Sequence, residues 1–176
     1  MHKILLKMFA LSVVVAAAAG CSQPVDIEAS KQNFIEHQES FDRLSNVACT
    51  FANSNDIDFF RYPLDVQGEK AEAFKSEFDE IEHLLDTVNS ELVVIRDFDD
   101  YHCELFVIIN GTSFLGEGSS LKYVFQPVDL GNYEYTDDFF SEESRLYREA
   151  NRARGEDVKF SIELENGWYL QYHLYP

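Results

Sequence analysis

The sequence predicts an α+β fold: two N-terminal helices, an antiparallel sheet of about five strands, and one helix inserted before a C-terminal β-hairpin. Three observations carry this reading. Apolar residues recur at three- and four-residue intervals before Asn89, β-rich runs follow it, and the chain closes on alternating segments either side of Asn166-Gly167.

Each element has its own signal. Ile27, Phe34, Phe41, Leu44, Ala48 and Phe51 mark an amphipathic helix over residues 28–50. A second helix is expected over Glu69 to Asn89, where Phe74, Phe78, Ile81, Leu85 and Val88 share one face, Gly68 precedes and Asn89 can close. Between them "IDFFRYPLDV" admits a short strand, which Pro63 confines to an edge or a loop. "ELVVIRDF" and "YHCELFVIIN" read as a hairpin around Asp99 and Asp100, and the unbroken "LFVII" suggests a strand covered on both faces near the middle of the sheet. "GTSFLGEGSS" reads as a turn-rich loop, and "LKYVFQPV" as a strand ending at Pro127.

In "DDFFSEESRLYREANRARG" acids lead (Asp137, Asp138, Glu142, Glu143) and Arg148, Arg152 and Arg154 trail before Gly155. That order complements a helix dipole and ends on a terminating residue. Leu146, Tyr147, Ala150 and Ala153 are expected to face inward. In "FSIELENGWYLQYHLY" apolar residues alternate on both sides of Asn166-Gly167, the strongest short-range hairpin signal. Tyr169, Gln171, His173 and Tyr175 then face away from the Trp168 side.

The N-terminus carries a separate signal. His2, Lys3 and Lys7 precede an apolar run from Ile4 to Ala19, long enough for a secretory signal and too short to span a bilayer. The ending "AAGC" resembles the lipobox of bacterial lipoproteins, although Ala18 stands where Leu is usual. The resemblance implies a signal peptide over residues 1–20, acylation of Cys21, a lipid-anchored tether over residues 21–29, and a single α+β domain over residues 30–176. Ser22 after the cysteine resembles the signal for sorting to the outer membrane, which places the domain on its periplasmic face, held by its acyl chains. A plain signal peptide cut near Ala19 is the alternative.

Composition narrows the partners. The net charge is −18, and Lys3 and Lys7 lie in residues 1–20 where no acid does, so the remainder carries 12 basic against 32 acidic residues, a net −20. That sign argues against nucleic acid and anionic headgroups as partners and favours a basic protein or plain solubility. A hydrophobic share of 45%, rich in Phe and Tyr, indicates a globular chain. Cys49 and Cys103 form an even pair, and in an oxidising compartment a disulfide is the economical reading, with two separate buried thiols as the alternative.

No stretch supplies a catalytic motif. "GTSFLG" has one residue too many for a nucleophile elbow around Ser113, and a strand follows it instead of a helix. His102 and Cys103 are adjacent on a strand and point to opposite faces. Glu80 and His83 match one half of a di-iron motif that needs a second pair. "NSNDID" and "DFDD" lack the glycine and distant glutamate of a calcium loop. No metal or cofactor is expected. Arg145, Arg148 and Arg152 share a helix stripe that reads as pairing with Glu142 and Glu149 or as a partner-facing patch.

The functional expectation is therefore a binding protein, not an enzyme. It is a lipid-anchored acidic periplasmic domain that captures a basic protein, similar in general character to small lipoproteins that inhibit lysozymes or neutralise envelope-targeting toxins. Exposed acids at Asp97, Asp99 and Asp100 and the rings of Tyr169 and Tyr175 are the expected contacts. The alternatives are a structural or assembly accessory of the outer membrane, or a hydrolase or small-ligand binder with a deep pocket of converging carboxylates.

Overall fold

The computed structural model describes residues 26–98, 102–114 and 117–175. Residues 1–20, expected to be a signal peptide, and Cys21, the expected acylation site, lie outside them. The fold is α+β, as the patterning predicts, with five helices and a six-stranded antiparallel sheet among the described residues.

The first predicted helix is two. Asp26 caps α1 (Ile27–Glu36) by accepting the Ala29 amide. The chain leaves helical geometry at His37, at φ −121°, and resumes as α2 (Gln38–Ser54). Phe34 and Phe41 flank that break with ring centroids 5.0 Å apart, and both are buried. The second predicted helix divides in the same way at Phe74, at φ −119°, into a five-residue α3 (Glu69–Ala73) and α4 (Lys75–Thr87). Apolar spacing reports which side is buried; it does not report a one-residue break that leaves that side in place.

The strands are β1 (Phe59–Tyr62), β2 (Val93–Phe98), β3 (His102–Phe114), β4 (Glu117–Phe125), β5 (Val158–Glu163) and β6 (Trp168–Tyr175), ordered β1-β2-β3-β4-β6-β5. β1 is an edge strand that stops at Pro63, and β3 is central, both as expected. "GTSFLGEGSS" is not the loop its glycines suggest. Gly111–Phe114 extend β3 and Glu117–Ser120 begin β4, paired in register from Gly111↔Ser120 to Phe114↔Glu117. In the last hairpin Asn166 (φ 56°) and Gly167 (φ 83°) both take left-handed geometry, and the Trp168 amide donates to the Glu165 carbonyl. This is the two-residue turn that the Asn-Gly pair favours.

One sheet face meets the helices. Leu105, Val107, Tyr123, Leu170 and Phe160 lie on it and are buried, and α2 and α4 pack together over it. Phe41 sits between Tyr123 and Trp168, with centroids 4.5 and 5.2 Å away. Cys49 of α2 and Cys103 of β3 form a disulfide, Cα atoms 5.8 Å apart, that fastens the helix layer to the sheet.

The last helix, α5 (Glu142–Arg152), starts at a Ser141 cap, and Gly155 at φ 75° follows its end. Its inward face differs from the prediction. Leu146, Ala150 and Ala153 are exposed, and the buried residues are Arg148 and Asn151. The apolar contact is made instead by Phe139, just before the helix, whose ring lies 4.6 Å from Phe160 and 5.7 Å from Tyr172. The Arg148 guanidinium covers Phe139 at 4.7 Å. Arg145 bonds to Glu142 and Glu149, so two members of the predicted arginine stripe are committed within the fold. The side chains of Tyr147 and Arg152 lie outside the description.

Candidate functional site: the uncovered sheet face

Strand alternation decides what the opposite face carries. The residues between the core positions are Val94 and Arg96 on β2, Glu104, Phe106 and Ile108 on β3, and Lys122 and the buried Val124 on β4. Gln171 and His173 continue the row on β6, and Lys159 on β5. Among the described residues no helix covers this face. A strap, residues 126–131, leaves β4 after Phe125 and crosses part of the face.

Four contacts hold the strap down. The Gln126 amide donates to the Gly167 carbonyl at 2.8 Å, and the Val128 amide donates to Glu104 Oε1 at 3.0 Å. Gln171 Nε2 donates to the Asp129 carbonyl at 2.9 Å, and Lys159 Nζ donates to Asp129 Oδ2 at 2.6 Å. The Lys159 ammonium, followed by the Gly131 amide, holds the Asp129 carboxyl below its ordinary range. Gly131 has no alternative residue: at φ 99°, a Cβ there would stand 2.4 Å from the Lys159 carbonyl oxygen.

Strap and sheet border an open hollow of about 460 Å³, within the range of small-molecule sites. Its floor is the ring of Phe106, 8% exposed, with the Lys122 ammonium 4.5 Å and the Arg96 guanidinium 4.8 Å from the ring centroid. Lys122 makes no hydrogen bond to any described residue. Burial, reinforced by Lys159, lowers its pKa to about 8 against the opposing pull of Glu104 and Asp129. His173 at the edge of the hollow pairs with Asp157 at 3.0 Å. Both carboxylates facing the hollow are engaged, Glu104 by the Val128 amide and Asp129 by Gly131 and Lys159. A chain of net charge −18 thus keeps a locally cationic hollow on its one helix-free face.

The predicted site residues are placed as follows. Cys49 and Cys103 are brought together. Asp97 stands on β2 opposite Cys103, and its side chain, like Asp99 and Asp100, lies outside the described residues. Tyr169 and Tyr175 are half-buried on β6 with Gln171 and His173 between them. Six residues of one strand put them roughly 20 Å apart, so they flank the hollow instead of forming one cluster. Glu80 is bonded to Arg43, and the His83 carbonyl accepts the Thr87 hydroxyl. Among the described residues no three metal-ligating side chains converge.

Lys122, Glu104 and Arg96 went unnoticed as a site. Their signal was present: "LKYVF", "CELFVII" and "VVIRDF" each set a charge into an apolar run. Only the strand order shows that these three strands are neighbours with those charges on one face. No protein-family model, no curated protein and no solved structure matches the chain.

Proposed function

We propose that this chain is a binding protein of the bacterial envelope, lipid-anchored through Cys21 on the periplasmic face of the outer membrane, that captures a basic protein with the helix-free face of its sheet. The observation that carries the reading is the distribution of exposed apolar residues. Phe59 on β1 lies on that face, and Val128 and Leu130 lie on the strap across it; they are 50, 63 and 51% exposed. Apolar side chains left on an otherwise solvated face are what a partner covers. The surrounding acidity would speed the encounter with a basic protein. The tyrosines at the two ends of the row would extend the contact, and the acids Asp97 on β2 and Asp99 and Asp100 after it in the sequence would steer it.

A hydrolase is less well supported, because the carboxylates at the hollow are committed to amide and ammonium donors and do not converge on an open space. A structural accessory role rests on helix faces, and Ile35 and Leu146 are exposed there. The test is cross-linking in intact cells followed by isolation of the full chain across a salt series. One stoichiometric basic protein, lost as salt rises, supports capture. A complex insensitive to salt favours the accessory role.

A further inference from the structure

The cationic hollow has a chemistry of its own that a basic partner does not explain. A bound cation would meet Lys122, Arg96 and Lys159, so the hollow selects against the very charge that the outer surface attracts. Lys159 and Asp129 pair with each other, Glu104 offsets one of the remaining two cations while its Oε1 accepts the Val128 amide, and His173 is engaged by Asp157, which leaves the hollow with a small positive excess carried by Lys122 and Arg96. The Lys122 ammonium therefore presents N–H donors toward the hollow without an acceptor among the described residues. The walls beside it are apolar, formed by Phe106, Ile108, Val94 and Val128.

We propose that this hollow is a binding site for an organic carboxylate with an apolar body, the carboxylate accepting hydrogen bonds from Lys122 and the body lying along Phe106 beneath the strap. A charge-assisted bond to a partly buried ammonium is stronger than one made in open solvent. An apolar body gains by covering surface that the strap leaves open. The site is independent of which protein, if any, the rest of the face engages.

The ligand's charge requirement sets the pH dependence. The groups facing Lys122 are Arg96 on β2, Glu104 on β3, Asp129 on the strap, Lys159 on β5 and His173 on β6. Of the hollow's cations, Lys122 is the one with a pKa brought down to about 8. Carboxylate affinity should hold at neutral pH and fall as Lys122 loses its proton.

The experiment is an NMR titration of the isotope-labelled full chain with hexanoate, with inorganic phosphate and hexylammonium as comparisons. The expected result is saturable hexanoate shifts at the amides of Phe106, Lys122 and Gln171, with affinity falling at least about tenfold from pH 7 to pH 9.5. Lys122→Met should abolish these shifts, while Lys75→Gln, on the solvent side of α4, should leave them intact. Absence of saturable shifts, their survival in a folded Lys122→Met variant, or equal binding of hexylammonium would overturn the proposal. Phosphate binding as tightly as hexanoate would overturn the apolar-body half of it.

Discussion

The ammonium of Lys122 lies 4.5 Å from the centroid of the Phe106 ring, on a face of the sheet that no described helix covers. A lysine so placed costs stability. Burial lowers its pKa from 10.5 to about 8, so between those values the unfolded chain binds the proton and the folded chain releases it. The contribution of Lys122 to stability is unfavourable below about pH 8 and is relieved as pH rises towards 10.5. Lys122→Met keeps the stem over Phe106 and removes the charge. At pH 7 it should stabilise the fold, by on the order of 3 kcal/mol at most if burial is the whole cost. The advantage should shrink through pH 8 to 10, as urea titrations of both proteins at each pH would record. A variant less stable than the parent at pH 7 would show that the ring contact outweighs the burial.

Reducing or removing the Cys49–Cys103 disulfide should cost about 4 kcal/mol, because it closes a loop across 54 residues of sequence separation. Thermal unfolding with and without reductant measures this. Cys49→Ala together with Cys103→Ala should unfold at the reduced protein's temperature and be indifferent to reductant.

The strap depends on Gly131. Gly131→Ala should destabilise by at least about 2 kcal/mol, since both the positive φ and the Lys159 carbonyl oppose a Cβ. Hydrogen exchange should quicken at the Asn132 and Tyr133 amides, which donate to that carbonyl.

Tyr123 reaches through the helix layer, donating to the Ser30 carbonyl at 2.8 Å and accepting from Asn33 Nδ2 at 3.0 Å. Tyr123→Phe leaves both groups without this partner inside the protein and should cost about 1 to 3 kcal/mol. Chemical denaturation supplies the value, and exchange at the first turns of α1 should rise with it.

The terminal hairpin and the central strand were legible in the sequence because local chemistry decides them. Asn166-Gly167 supplies two left-handed residues, and "LFVII" is greasy on both faces because Phe106 is buried under cationic stems on the side without helices. α5 was legible as a helix but not as a surface. Its dipole-matched charges announce it, yet Phe139 takes the apolar contact that Leu146 was expected to make, and Arg148 turns inward to cover that ring. The extension of β3 and β4 through Gly111 and Ser120 was hidden because small polar residues give no alternation to read. The hollow was hidden for a different reason: its residues come from five strands and a strap, and only their register assembles it.

The central claim is that the helix-free face engages a basic partner. The most direct measurement is site-specific photo-cross-linking in living cells, with the photoreactive residue at Tyr169 on that face or at the exposed Ile35 of α1. A single adduct with one basic protein, formed from position 169, absent from position 35 and weakened by added salt, is the predicted result. An adduct formed only from position 35, or none from position 169, would contradict the account.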